Sequence, residues 1–173
     1  SVLAVVYPQA SSTRDREAGF DEVMAQYPDI TIEKVSPISI SSDDAYTLMQ
    51  DKLSAYAVGD LDVIYSITAP VTVGIIGAID TAERTDVLLV GTDEDDAIFD
   101  KMKEEGTYVL GTVVQYPTEI AKYAFEAFQK HLAGETVDAE TFVPVQAITT
   151  PEEVDEFQQF KEDYREELSA YYN

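Results

Sequence analysis

Continuous apolar runs and stretches of helical period take turns along this chain. Val2 to Tyr7 is an apolar run of the kind a strand buried on both faces presents. Pro8 to Thr13 is a loop of small polar residues. From Arg14 to Tyr27 the period lengthens, and Phe20, Val23, Met24 and Tyr27 share one helical face. Ile30 and Ile32 alternate with Thr31 and Glu33, the pattern of a half-buried strand toward a sheet edge.

Ser41 or Ser42 can cap a helix running to about Ala57, with Ala45, Leu48, Met49, Leu53 and Tyr56 at helical spacing. Leu61 to Ser66 reads as a third strand, and Pro70 opens a helix whose Val71, Ile75, Ile76 and Ile79 fall on one side. Asp86 to Gly91 is a fourth strand, followed by an acidic helix start and a helix to Glu105. Tyr108 to Gln115 is the fifth strand and Pro117 to Leu132 the helix after it. Phe142 to Ile148 forms a sixth strand-like run. Pro151 to Tyr172 is a long polar helix with Val154, Phe157, Phe160, Tyr164 and Leu168 as its packing stripe.

Strict alternation of strand and helix predicts an α/β fold: an open, mostly parallel, doubly wound sheet with helices on both faces. Ligands of such sheets bind at the carboxyl ends of the strands. That edge is made here by Tyr7 to Thr13, Val35 to Ser42, Ser66 to Pro70, Thr92 to Asp95 and Gln115 to Pro117.

Composition narrows the chemistry. The 173 residues suffice for one domain that buries roughly 70% of its unfolded surface without a disulfide or metal. No cysteine is present, which excludes disulfides, thiol catalysis and cysteine-held zinc or iron-sulfur centres. Eleven basic against 34 acidic residues give a formal charge of −23, which repels nucleic acid and anionic membrane surfaces. Such acidity fits a soluble secreted or surface-displayed protein, or a halophile. The chain opens directly on a strand, as expected where a leader has been removed or where the segment is a piece of a longer chain.

Four residues of the ligand edge are candidates for binding. Arg14 stands with Arg16 at a helix start, where the macrodipole disfavours positive charge by up to ~1 kcal/mol, so a guanidinium there suggests a task, forked hydrogen bonding to hydroxyls or a carboxylate; a surface ion pair is the competing explanation. Asp93 follows its strand by two residues and can accept from ligand hydroxyls or cap the next helix. Thr68, with Ser66, lies at the mouth of the third strand and can bond a ligand or cap the helix through Pro70. Gln115 places an amide at the end of the fifth strand, beside a proline-initiated helix and a hinge. Tyr7, Tyr65 and Tyr116 could stack on a sugar face or pack internally. His131 reads as a solvated helix-terminal residue. The chain lacks a phosphate-binding glycine loop, a nucleophile elbow and a serine with a histidine partner, so no enzymatic activity and no cofactor are expected. A metal site is disfavoured because the carboxylates of Asp93 to Asp96 diverge.

In order, Ser12-Thr13-Arg14-Asp15-Arg16-Glu17-Ala18-Gly19-Phe20, Asp86-Val87-Leu88-Leu89-Val90-Gly91-Thr92-Asp93, Gly111-Thr112-Val113-Val114-Gln115-Tyr116-Pro117 and Ile148-Thr149-Thr150-Pro151-Glu152-Glu153-Val154-Asp155-Glu156-Phe157 resemble blocks of the type I periplasmic sugar-binding proteins, in the ribose-binding form. The resemblance begins at the family's second lobe. It implies two α/β lobes clamping a small-molecule sugar, a missing N-terminal lobe as partner, delivery to the membrane permease of an ABC transporter, and a periplasmic or cell-surface lipoprotein location. It assigns sugar contacts to Arg14, Asp93 and Gln115. It divides the chain into a ligand-binding lobe (1–115), a crossing helix and strand that pack on the missing lobe (116–149), and a C-terminal helix (150–173). Thr68-Ala69 departs from the family's Asn-Asp pair. Ile120, Tyr123, Ala124, Ala127 and Phe128 would then lack cover, and a homodimer through the 117–132 helix is one arrangement that would supply it. The effector-sensing domain of a lac-repressor-type regulator resembles the same family and is the alternative reading.

Overall fold

A computed structural model describes the backbone of residues 1–172 and the side chains of residues 1–166. Six strands form one sheet in the order β2-β1-β3-β4-β5-β6. β1 (Val2–Val5), β2 (Ile32–Val35), β3 (Val63–Ser66), β4 (Leu88–Thr92) and β5 (Val109–Val114) are parallel, and β6 (Gln146–Ile148) is antiparallel to β5. Between and after them lie α1 (Ser11–Met24), α2 (Ser42–Ala55), α3 (Ala69–Thr81), α4 (Asp96–Met102), α5 (Pro117–Leu132) and α6 (Pro151–Tyr172).

The doubly wound sheet expected from the alternation is present, with β2 at one edge as the half-buried pattern required. The connection from β1 to β2 steps in one direction and the later parallel connections step in the other. Right-handed crossovers therefore put α1 on one face and α2, α3 and α4 on the opposite one. Leu3, Ala4 and Val5 of β1 are fully buried, which explains their unbroken apolar run.

The three-helix face holds most of the core, including Met49, Leu53, Ile75, Ile79, Leu89, Ile98 and Phe99. α2 and α3 meet at Gly74, where a Cβ would stand 2.2 Å from the Ser42 carbonyl oxygen and 2.9 Å from the Ala45 Cβ. Only glycine allows that approach. Ser41 caps α2 by accepting from the Asp44 amide at 3.2 Å. α6 adds buried Val154 and Phe157 to this side; Phe160 and Tyr164 are partly exposed, and the Leu168 side chain lies outside the described residues.

The other face is thinly covered, and there the expected helical stripe is corrected. Phe20 stacks on Tyr65 with ring centroids 4.5 Å apart, but Val23 and Tyr27 are each 53% exposed. The packed stripe of α1 runs instead through Thr13 and Phe20, because the helix meets the sheet near its own amino end. Leu88 and Val90 pair with Val63 and Tyr65, placing them on this same face, and Leu88 and Leu110 stay exposed there.

The strand expected over Phe142 to Ile148 shortens to three residues, and Phe142 and Val145 are exposed. β6 can approach β5 because residue 111 is glycine: a Cβ there would lie 2.6 Å from the Ile148 carbonyl oxygen. α5 buries no residue, and Ile120, Tyr123, Phe125 and Phe128 remain exposed. The uncovered apolar face expected for that helix is therefore observed in the single chain.

Candidate functional site

Three polar side chains converge at the carboxyl ends of β3, β4 and β5, delivered by three different elements. Arg16 comes from the second turn of α1, Asp93 follows β4 and Gln115 follows β5. The Arg16 guanidinium donates to both Asp93 carboxylate oxygens, Nη1 to Oδ2 at 2.7 Å and Nη2 to Oδ1 at 2.8 Å. Nη1 also donates to the Ile67 carbonyl at 2.9 Å. Gln115 donates from Nε2 to Asp93 Oδ1 at 2.6 Å. The Arg16 and Asp93 side chains are 22% and 24% exposed, half-sheltered and still reachable from solvent.

The backbone under Asp93 is unusual. Its φ is 72°, a left-handed conformation that a non-glycine residue adopts at a cost of about 1–2 kcal/mol. Two hydrogen bonds hold it: the Asp93 amide donates to the Val113 carbonyl at 2.8 Å, and the buried Thr112 hydroxyl donates to the Asp93 carbonyl at 2.6 Å. Asp93 does not cap the following helix. Asp95 does so, accepting from the Ala97 amide at 2.9 Å, which leaves the Asp93 carboxylate to Arg16 and Gln115.

A layer of hydroxyls lies beneath. Thr72 Oγ1 is 2.8 Å from Ser66 Oγ and 2.9 Å from the Thr68 carbonyl, and Thr92 donates to the Ser66 carbonyl at 3.1 Å. Thr68 occupies the N-cap position of α3 without making the capping bond. Its residue is 7% exposed, and its hydroxyl oxygen is buried with no hydrogen-bond partner among the described residues. An orphaned hydroxyl of this kind costs about 1–3 kcal/mol unless something bonds it.

Of the residues singled out from the sequence, Asp93 and Gln115 meet directly and Thr68 lies in the floor beside them. Arg14 does not join them: its Nη1 donates to the Pro8 carbonyl at 3.0 Å on an exposed side of α1. The residue missed is Arg16. Its signal was spacing, since Thr13, Arg16 and Phe20 stand three and four apart and so share the helix face that meets the sheet, whereas Arg14 points elsewhere. Tyr65 sits among these groups through its stack with Phe20. Burial pushes its phenol above the ordinary tyrosine value, with a hydrogen bond to Thr92 opposing, so it stays neutral at physiological pH. Tyr116 packs edge-on against Phe157 and Phe160 rather than presenting a free ring.

The arrangement mixes donors and acceptors without net charge. Arg16 and Asp93 neutralise each other, yet the guanidinium keeps unused N–H groups, the Asp93 carboxylate keeps lone-pair capacity, and Gln115 keeps its Oε1. Such a shelf suits a neutral ligand rich in hydroxyls. It is an open edge rather than an enclosed cavity.

Residues 2–136 match the family described as periplasmic binding protein domain. Ribose import binding protein RbsB of Salmonella typhimurium is 27% identical over 130 residues, covering 75% of this chain and 42% of that protein. The chain therefore spans less than half the length of that curated relative. An ABC sugar transporter subunit from Rhodobacter sphaeroides superposes with a TM-score of 0.78 at 26% identity, covering 86% of this chain and 55% of that one. A solute-binding protein from Agrobacterium vitis with bound allitol shares the fold, with a TM-score of 0.82 at 20% identity over 91% of this chain and 56% of that one.

Proposed function

The chain belongs to the periplasmic binding protein domain family, and from that premise we propose that it is one lobe of an extracytoplasmic solute-binding protein that delivers a neutral, sugar-like ligand to the membrane permease of an ABC transporter. The observation that carries this reading is the Arg16–Asp93–Gln115 cluster at the carboxyl edge of the sheet. Its parts are already bonded to one another, so they are oriented before a ligand arrives and little ordering entropy remains to oppose binding. The relatives named for ribose import and for sugar transport support a sugar as the ligand class.

Binding proceeds without a chemical step. Arg16 donates to adjacent ligand hydroxyls, Asp93 and the Gln115 side-chain carbonyl accept from them, and rotation of the Thr68 side chain toward the shelf gives its buried hydroxyl the partner it lacks. An opposing lobe completes the site from the other side, with the chain crossing over directly after Gln115. α5 leaves the sheet at that point with its apolar face unburied, as a helix that packs on a second lobe would. One lobe supplies half of the contacts, so its own affinity is weak, on the order of millimolar.

Titration of the labelled chain with pentoses, hexoses and hexitols, followed by two-dimensional NMR, tests the proposal. Shifts confined to Arg16, Thr68, Asp93 and Gln115 at millimolar ligand are expected. A site that stays silent to every neutral sugar, or that responds better to sugar phosphates, overturns it.

A further inference from the structure

α6 is remote in sequence from the site residues and follows the 2–136 stretch matched by the family. It nevertheless touches the chain at two places that matter to the site. Lys161 of α6 pairs with Glu94 at 2.9 Å. Phe157 and Phe160 meet Tyr116 edge-on, with ring centroids 5.6 and 5.3 Å away. Glu94 follows Asp93 and Tyr116 follows Gln115, so one helix grips the residue after each partner of the 2.6 Å Gln115–Asp93 bond.

The grip is anchored in the core. Phe157 is buried and packs against Phe99 of α4, with centroids 5.9 Å apart. The Lys161 ammonium lies 5.8 Å from the centre of the Phe157 ring, so the contact to Glu94 and the contact to Tyr116 share one support. Lys103 adds a second tie to the same helix, through Asp155 at 2.5 Å and Gln158 at 2.9 Å.

We propose that α6 is a positioning strut for the binding site, with Phe160 and Lys161 as the residues that hold the β4 and β5 ends in register so that Gln115 reaches Asp93. The buried stripe of α6, Val154 and Phe157, anchors the helix to the core. Phe160 and Lys161 lie one turn farther out, where they contribute little to the core but reach the two segments bearing the site.

This rests on reading Arg16, Asp93 and Gln115 as the site, but its test requires no ligand, so failure of sugar binding and failure of the strut are separate results. The Gln115 side-chain amide reports the bond directly; its NMR signals are assigned by their loss in Gln115→Met. In the double variant Lys161→Met, Phe160→Leu those signals should move, and their exchange with water should quicken on the order of fivefold, as expected for loss of a contact of this size. Lys161→Arg should restore the charge contact and leave the signals near their original positions. Backbone amides of Leu3 and Ile64, in the sheet interior, should keep their protection. Gln115 signals unmoved in the double variant overturn the proposal. Equal acceleration at Leu3 and Ile64 also overturns it, because α6 would then act on global stability alone.

Discussion

Arg16 and Asp93, 77 residues apart in sequence, face each other as a bidentate pair at 2.7 and 2.8 Å, and Asp93 adopts a left-handed backbone to complete it. Strain of that kind persists where surrounding bonds enforce it, here from Val113, Thr112 and Gln115.

The two arginines of α1 should separate cleanly. Arg16→Gln removes the charge-assisted bonds and is expected to weaken sugar binding about tenfold or more, from roughly 1.5–3 kcal/mol per charged hydrogen bond. Arg14→Gln, on the exposed side, should stay within about twofold of the parent, since exposed polar contacts contribute ~1 kcal/mol or less. The NMR titration measures both, and equal losses would place the site wrongly.

Backbone strain at Asp93 predicts an inverted ranking of small substitutions. Asp93→Ala keeps a Cβ in the left-handed region and loses the hydrogen bonds, whereas Asp93→Gly loses the bonds but relieves the strain. Urea denaturation should find the glycine variant about 1 kcal/mol more stable than the alanine variant. In an ordinary extended position the order would be reversed.

Thr68 should trade stability against function. Valine keeps its shape and removes the buried orphan hydroxyl, so Thr68→Val is expected to stabilise the unliganded chain by about 1 kcal/mol. The same change should weaken sugar binding several-fold, by roughly one hydrogen bond. Thermal unfolding with and without ligand reads both effects, and a variant gaining stability at no loss of affinity would remove Thr68 from the site.

Arg84 gives a pH-dependent prediction away from the site. Buried, it donates to the Leu53 and Tyr56 carbonyls at 2.9 Å each and forks onto Asp86 at 2.7 and 2.9 Å, closing the end of α2. Arg84→Met should cost about 3 kcal/mol by orphaning those acceptors. The Arg84 hydrogen bond, then one from the Gly59 amide, hold the Asp86 carboxyl well below the usual carboxylate range. A depressed folded-state value means that the contribution of Asp86 is fully present above its unfolded pKa, near ~4, and is lost as pH falls through the folded value. The stability gap between the parent and Asp86→Asn should therefore be level from about pH 5 upward and shrink below about pH 4. A gap that widens in acid would contradict the assignment.

Much of the fold was legible from periodicity because each signal was local. Apolar runs gave five of the strands, Ser41 or Ser42 announced an α2 cap that Ser41 makes, and the half-buried rhythm of Ile30 and Ile32 marked an edge. The short β6 was overestimated because Phe142 and Val145 look like strand residues and only the approach through Gly111 decides how much of that run can pair. Asp93 and Gln115 could be placed at the carboxyl edge of the sheet because strand ends are predictable. Arg16 was passed over for Arg14 because choosing between them required knowing which side of α1 meets the sheet.

The sequence by itself determined the alternation and the polar character of the strand ends, which depend on residues near one another in the chain, and the charge and absence of cysteine, which are matters of composition. The tertiary structure alone decided which arginine meets Asp93, that Asp95 and not Asp93 caps α4, that the Thr68 hydroxyl is stranded, and that α6 reaches both Glu94 and Tyr116. Each of these is a contact or a vacancy between segments tens of residues apart, or a choice between neighbours that such contacts settle. Hydrophobic periodicity proposes which face of an element turns inward; for α1 the packing against the sheet overrode even that, leaving Val23 and Tyr27 exposed.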